Sequence, residues 1–149
     1  MTKAFTKGDR VTVIQEWSRN GTTYVRNATV YSCGTKVMRL TCDLTGDEFG
    51  QDLIPVVAAP GTEGVRPLLE GEALAAEAQA VAVLVWNRQR ASLDRLLQHY
   101  RSVGHRICVE SIQRDIDAMK AANWITYEQG CRECDERMER EYGIKKNAG

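Results

Sequence analysis

The hydrophobic pattern of this chain changes its period part-way along, at a segment that suits neither pattern. Up to about residue 57, apolar residues alternate with polar ones, the period of strands; beyond residue 68 they recur every three or four positions, the period of helices. Between them, Ala58-Ala-Pro-Gly-Thr-Glu-Gly-Val-Arg-Pro67 holds two prolines and two glycines and little apolar content. Such a switch within 149 residues predicts an α+β chain of two small lobes leaning on each other: a β unit over 1–57, a linker over 58–67 and a helical domain over 68–149.

In the first lobe, Arg10-Val-Thr-Val-Ile-Gln-Glu16 reads as a half-buried strand. Asn20-Gly21 then offers the two residues most willing to take positive φ, so a hairpin into Thr22–Tyr31 is expected. After a reversal at Ser32-Cys-Gly-Thr35, Lys36–Cys42 sets Met38, Leu40 and Cys42 on one face. Short segments around Glu48-Phe49 and Leu53-Ile54, with Pro55 at an end, bring the count to about five strands, the spacing of a small barrel. Lys7-Gly-Asp-Arg-Val-Thr-Val13 and Ala28-Thr-Val-Tyr-Ser-Cys-Gly34 are similar in turn spacing and strand entry to SH3-like small β-barrels. The segment also resembles small accessory proteins of phages and plasmids. The resemblance covers residues 5–57 and implies a platform that binds peptides or nucleic acid and seldom catalyses.

The second lobe predicts three helices. Leu68 to about Ser102 contains no proline and is rich in helix formers, with Gly104 as terminator. Within it Ala78–Trp86 is apolar nearly all the way round, so it needs cover on two sides, part of which a homodimer could supply. A buried strand is the competing reading of that stretch, given Val81, Val83 and Val85. A second helix over Cys108–Ala122 shows a stripe of Cys108, Ile112, Ile116 and Met119. Trp124 and Ile125 are expected to plug the joint to a third, Tyr127–Tyr142, stopped by Gly143, and the tail beyond Lys145 to be loose.

Charge is sorted along the chain. Met1–Thr41 carries seven bases and two acids, net +5, and Cys42–Ala82 carries eight acids and Arg66 alone as base, net −7. Opposed fields of this kind orient encounter with a charged partner without specifying chemistry. Bases and aromatic rings interleave at Arg10, Trp17, Arg19, Tyr24, Arg26, Lys36 and Arg39, a candidate face for a protein partner or for nucleic acid, since cations hold phosphates and rings stack bases. The same bases could instead dock on the chain's own acidic stretch, and the balanced total charge argues against long nucleic-acid tracks.

The cysteines have two readings. His105-x2-Cys108 with Cys131-x2-Cys134 could complete a tetrahedral zinc site; equally, Cys108 begins the stripe of Ile112 and Ile116, and Cys131 and Cys134 lie on a stripe with Met138, as buried thiols do. Five cysteines, no secretory leader and no apolar run longer than Ala80–Trp86 point to a soluble cytoplasmic protein without disulfides or membrane spans. No nucleophile and base stand at supporting spacings around His99 or His105, and Gly61-Thr-Glu-Gly64 precedes no phosphate-loop lysine. No catalytic residue and no obligate cofactor are therefore assigned. The expectation is a non-enzymatic protein that occupies a host protein or nucleoprotein complex, such as a phage or mobile-element inhibitor of a defence system. The alternative is a small DNA- or RNA-binding regulator, stabilised by zinc.

Overall fold

The computed structural model describes residues 5–17, 21–51, 57–119 and 121–143. Its elements are β1 (Arg10–Glu16), β2 (Thr22–Cys33), β3 (Met38–Cys42), β4 (Glu48–Gln51), β5 (Gly64–Pro67), α1 (Gly71–Ser102), α2 (Arg106–Ala118), β6 (Asn123–Thr126) and α3 (Tyr127–Tyr142). The α+β class and three C-terminal helices are as expected, and Ala78–Trp86 is helix rather than strand. Asn20, Leu53, Ile54, Pro55 and the tail after Gly143 lie outside the described residues.

The sheet runs β4-β3-β2-β1-β5, antiparallel throughout, with β6 added in parallel to β2. Among the described residues it does not close into the expected barrel, since β4 and β5 stand at opposite ends of the order and do not pair. The twelve residues of β2 organise it. One edge takes β1; the other takes β3 along Ala28–Cys33 and β6 along Thr22–Val25, with a bulge between Val30 and Ser32. Two expectations change as a result. Gly64–Pro67, inside the segment read as a linker, is β5 and buries Val65 against the sheet; Trp124-Ile125, read as a plug between helices, belongs to a strand. Nor do the helices form a three-helix bundle, because β6 carries α3 to the sheet, where it packs on β2 and β6 while α2 packs on α1.

Strand alternation gives the sheet two apolar faces. On one, Val11, Val13, Ala28, Val30, Met38, Leu40 and Val65 form a core with Phe5. On the other, Ile14 and Val25 meet Ala78, Val81 and Val85 of α1. The small and β-branched residues at these helix positions allow a close approach to the pleat. Gly21 fixes the sheet's end on the helix: it has φ +87°, its N–H donates to the buried Gln89 Oε1 at 2.6 Å, and a Cβ there would lie 2.7 Å from Trp86 Cδ1. Arg66, buried on β5, pairs with Glu77 of α1 at 3.2 Å, and Glu77 also accepts from the Gly61 N–H. Burial holds the Arg66 guanidinium below its ordinary value, against the opposing pull of Glu77.

Only the first half of α1 lies on the sheet. Its second half continues past Gln89 and pairs with α2 around Leu97, Ile112 and Ile116, supported by Leu93, Tyr100 and Val109. The His105 side chain accepts from the Cys108 N–H to cap α2, the Thr126 hydroxyl caps α3 by accepting from the Gln129 N–H, and Gly143 in the left-handed region ends α3.

Candidate functional site

The seven residues of the expected binding face do not form one surface. Trp17, Tyr24 and Arg26 come together; Arg10 is taken by Asp43 at 2.6 Å; Lys36 and Arg39 are exposed at the β2–β3 turn and on β3; Arg19 lies outside the described residues. The β1–β2 register sets Tyr24 opposite Gln15 and Arg26 opposite Val13, so both side chains leave the sheet on the face of Val11 and Val13, opposite the face that carries α1. There the Arg26 guanidinium lies between two rings, 3.8 Å from the centre of Phe49 on β4 and 4.1 Å from that of Tyr127 on α3. Trp17, Tyr24 and Tyr127 close the arrangement, with ring centres 5.4 to 6.0 Å apart.

This cluster is a clamp. A guanidinium stacked on two aromatic faces gains cation–π attraction on both sides, and here it joins β4 to α3 through β2. The Tyr24 hydroxyl donates to Gln15 Oε1 at 2.9 Å; burial raises its pKa, opposed by Arg26. Burial pushes the Cys42 thiol up, but hydrogen bonds from Thr45, Arg26 and the backbone of Thr45 and Leu44 outweigh it and hold the thiol below its usual range. Tyr127 is raised by burial and by its hydrogen bond to Cys131, against Arg26. Both faces of Arg26 are covered, and Trp17 and Tyr24, the rings that sequence reading offered to nucleic-acid bases, pack on each other and on Tyr127.

The four residues of the zinc reading are not assembled. His105 and Cys108 stand at the start of α2, with 3.9 Å between Nε2 and Sγ, whereas Cys131 and Cys134 are on α3, which packs on a different part of the molecule. Among the described residues, no three His, Cys, Asp or Glu side chains are grouped closely enough to hold a metal ion. The donor set does not fit zinc. No helix among the described residues is long and apolar enough to cross a membrane.

A larger concavity than those beside the cluster lies elsewhere among the described residues. A groove of about 700 Å³ runs between the second half of α1 and α2. Leu93, Leu96, Tyr100 and Ile112 give it an apolar floor, and Arg95 of α1 and Asp115 of α2 stand among its polar lining. Arg88, also lining it, is held by Glu16 at 2.9 Å and by Glu63. Leu96 is 42% exposed, and at the turn between the helices Val103 is 60% and Ile107 75% exposed. Sequence reading passed over these residues. Leu93, Leu96, Leu97 and Tyr100 have the i, i+3, i+4, i+7 spacing of an ordinary single contact face, so the sequence carries no signal that part of it stays open.

Comparison with protein-family models, curated proteins and solved structures finds no match for this chain.

Proposed function

We propose that this chain is a non-enzymatic interaction protein that takes an apolar segment of a protein partner into the groove between α1 and α2. The apolar floor of that groove, left open to water beside exposed Leu96, carries the reading. Apolar surface gathered in an open trough between helices suits an amphipathic helix or extended strand laid along it, with side chains inserted at regular spacing. Its lining charges narrow the choice. Arg88 is neutralised by Glu16 and Glu63, whereas Arg95 and Asp115 stand in no ion pair among the described residues. A fitting segment carries an acid toward Arg95 and a base toward Asp115. In a phage or plasmid setting such a segment would belong to a host protein.

The nucleic-acid alternative has weaker support, because Arg10 is paired and Arg26 is enclosed, leaving Lys36 and Arg39 as the exposed bases of the expected face outside any ion pair among the described residues. A photo-cross-linking residue at position 96 of the full chain, with one at Tyr31 as control, tests the proposal in cell extract. The expected result is one protein captured from position 96 and not from 31, which rebinds when purified and loses at least about tenfold in affinity with Leu96→Asp or Arg95→Glu. Equal capture from both positions, or rebinding indifferent to Leu96→Asp, overturns it. Salt-sensitive binding of nucleic acid weakened by Arg39→Ala, without such a protein, selects the alternative.

A further inference from the structure

We infer that the outward face of α1 pairs with the same face of a second copy of this chain, the two helices running antiparallel. The apolar stretch Ala78–Trp86 calls for cover on two sides, and the fold supplies one. Ala78, Val81, Ala82 and Val85 are buried, whereas Val83 and Leu84 are each 43% exposed. Helical spacing puts Ala76, Ala80 and Asn87 on the face with Val83 and Leu84; all are exposed, and the first charged side chain along it after Ala76 is Arg90, seven residues beyond Val83. From Ala76 to Asn87 this uncharged face is about 16 Å long at 1.5 Å per residue. A helix face that serves only solvent ordinarily carries charges.

The charges flanking this face identify its occupant. Gly71–Trp86 holds Glu72 and Glu77 and no base; Asn87–Ser102 holds Arg88, Arg90, Arg95 and Arg101 against Asp94 alone. Acids near the start and bases near the end also complement the helix dipole, which explains their order but not the uncharged face between them. Two antiparallel copies related by a twofold axis can bring Glu72 of each to the Arg88–Arg90 segment of the other, whereas a parallel pair would oppose like to like.

The same charges select a register. Glu72 and Arg90 are eighteen residues apart, five helical turns, and so share one edge of the face. Glu72 has no ion pair among the described residues, and Arg90 is held only by Asp94 on its own helix, Nε to Oδ1 3.1 Å; by contrast Glu77 is engaged by Arg66, and Arg88 by Glu16 and Glu63. When Glu72 of each copy stands level with Arg90 of the other, Val83 and Leu84 fall between Ala76 and Ala80 of the second copy. Large side chains then meet small ones in both directions, the condition for close helix packing. The surface is at the short end for a stable interface, so the dimer exchanges with monomer.

Sedimentation of the full chain from low to high micromolar concentration tests this, with circular dichroism to verify that each variant is folded. Wild type is expected to pass from monomer to dimer. Leu84→Glu, at an exposed position, is expected to raise the dissociation constant at least about tenfold. Glu72→Arg and Arg90→Glu are each expected to weaken the dimer, and their combination to restore it. A monomer at every concentration, a dimer unchanged by Leu84→Glu, or single charge reversals that the double variant does not rescue would each overturn the inference. So would a dimer broken by Leu96→Asp but not by Leu84→Glu, which would place the contact in the groove. Because the proposed partner groove lies on another side of α1, either assignment can fail while the other stands.

Discussion

The two halves of α1 live in different surroundings. The first is laid on a sheet with a core on each face, and its contacts are Ala and Val against Ile14 and Val25, reinforced by the Arg66–Glu77 pair and by Gly21 seated beside Trp86. The second, tied to β1, Glu63 and Gly21 through Arg88 and Gln89 at its start, then leaves the sheet and packs on α2 through Leu97, Ile112 and Ile116 and their half-buried neighbours. The sheet-bound half buries its inner side and leaves Val83 and Leu84 exposed on the outer one; the outlying half leaves Leu96 exposed beside its contact with α2. Elements with few buried contacts open at lower free energy than the rest of a fold, and they are where binding surfaces are commonly built.

Substitutions on either side of this divide should separate it. The largest effect is expected from Glu77→Ala, which leaves the Arg66 cation buried without its counter-charge and the Gly61 N–H without its acceptor. A loss of about 3–5 kcal/mol in global stability, read from denaturant midpoints, is expected. Ile112→Ala should cost about 2–3 kcal/mol, the low end for such truncations because its cluster borders an open groove. Hydrogen exchange should show the loss in α2 and the end of α1, with β1 and β2 unchanged; equal acceleration in the sheet would mean that the two regions unfold as one. Gly130→Ala should cost least, about 1–3 kcal/mol, since its Cβ would lie 2.9 Å from the Trp17 ring and 3.2 Å from Ile125. That loss should appear in α3, and Trp17→Phe in the same background should recover part of it.

Residues whose partners are close in sequence were easier to read than those whose partners are distant. The change of period marks where strands give way to helices, and Gly104 and Gly143 stand just past helix ends because both take positive φ there. Four-residue β6 is too short to display a period, and its parallel pairing with β2 has no local signature, so Trp124 and Ile125 read as helix-joint residues. Arg26 was visible as a base among aromatics. The rings that take it, Phe49 and Tyr127, lie on β4, beyond β3 in the sheet order, and on α3 about a hundred residues away, where the β6–α3 connection brings Tyr127 within reach. The same distance dissolves the zinc reading: Cys108 and Cys131 are separated in sequence by a strand that sends α3 away from α2.

The parallel pairing of Thr22–Val25 with Asn123–Thr126 also governs the order in which the molecule can be completed. During synthesis β1 and β2 emerge early, while the residues that seal this part of the β2 edge emerge about a hundred positions later. Until then the nascent chain presents an unsealed strand margin of the kind that other chains can join, and long-range closure of this sort slows folding. A fragment ending before β6 would keep that margin permanently bare, so the C-terminal segment acts as a built-in guard against self-association of the β half.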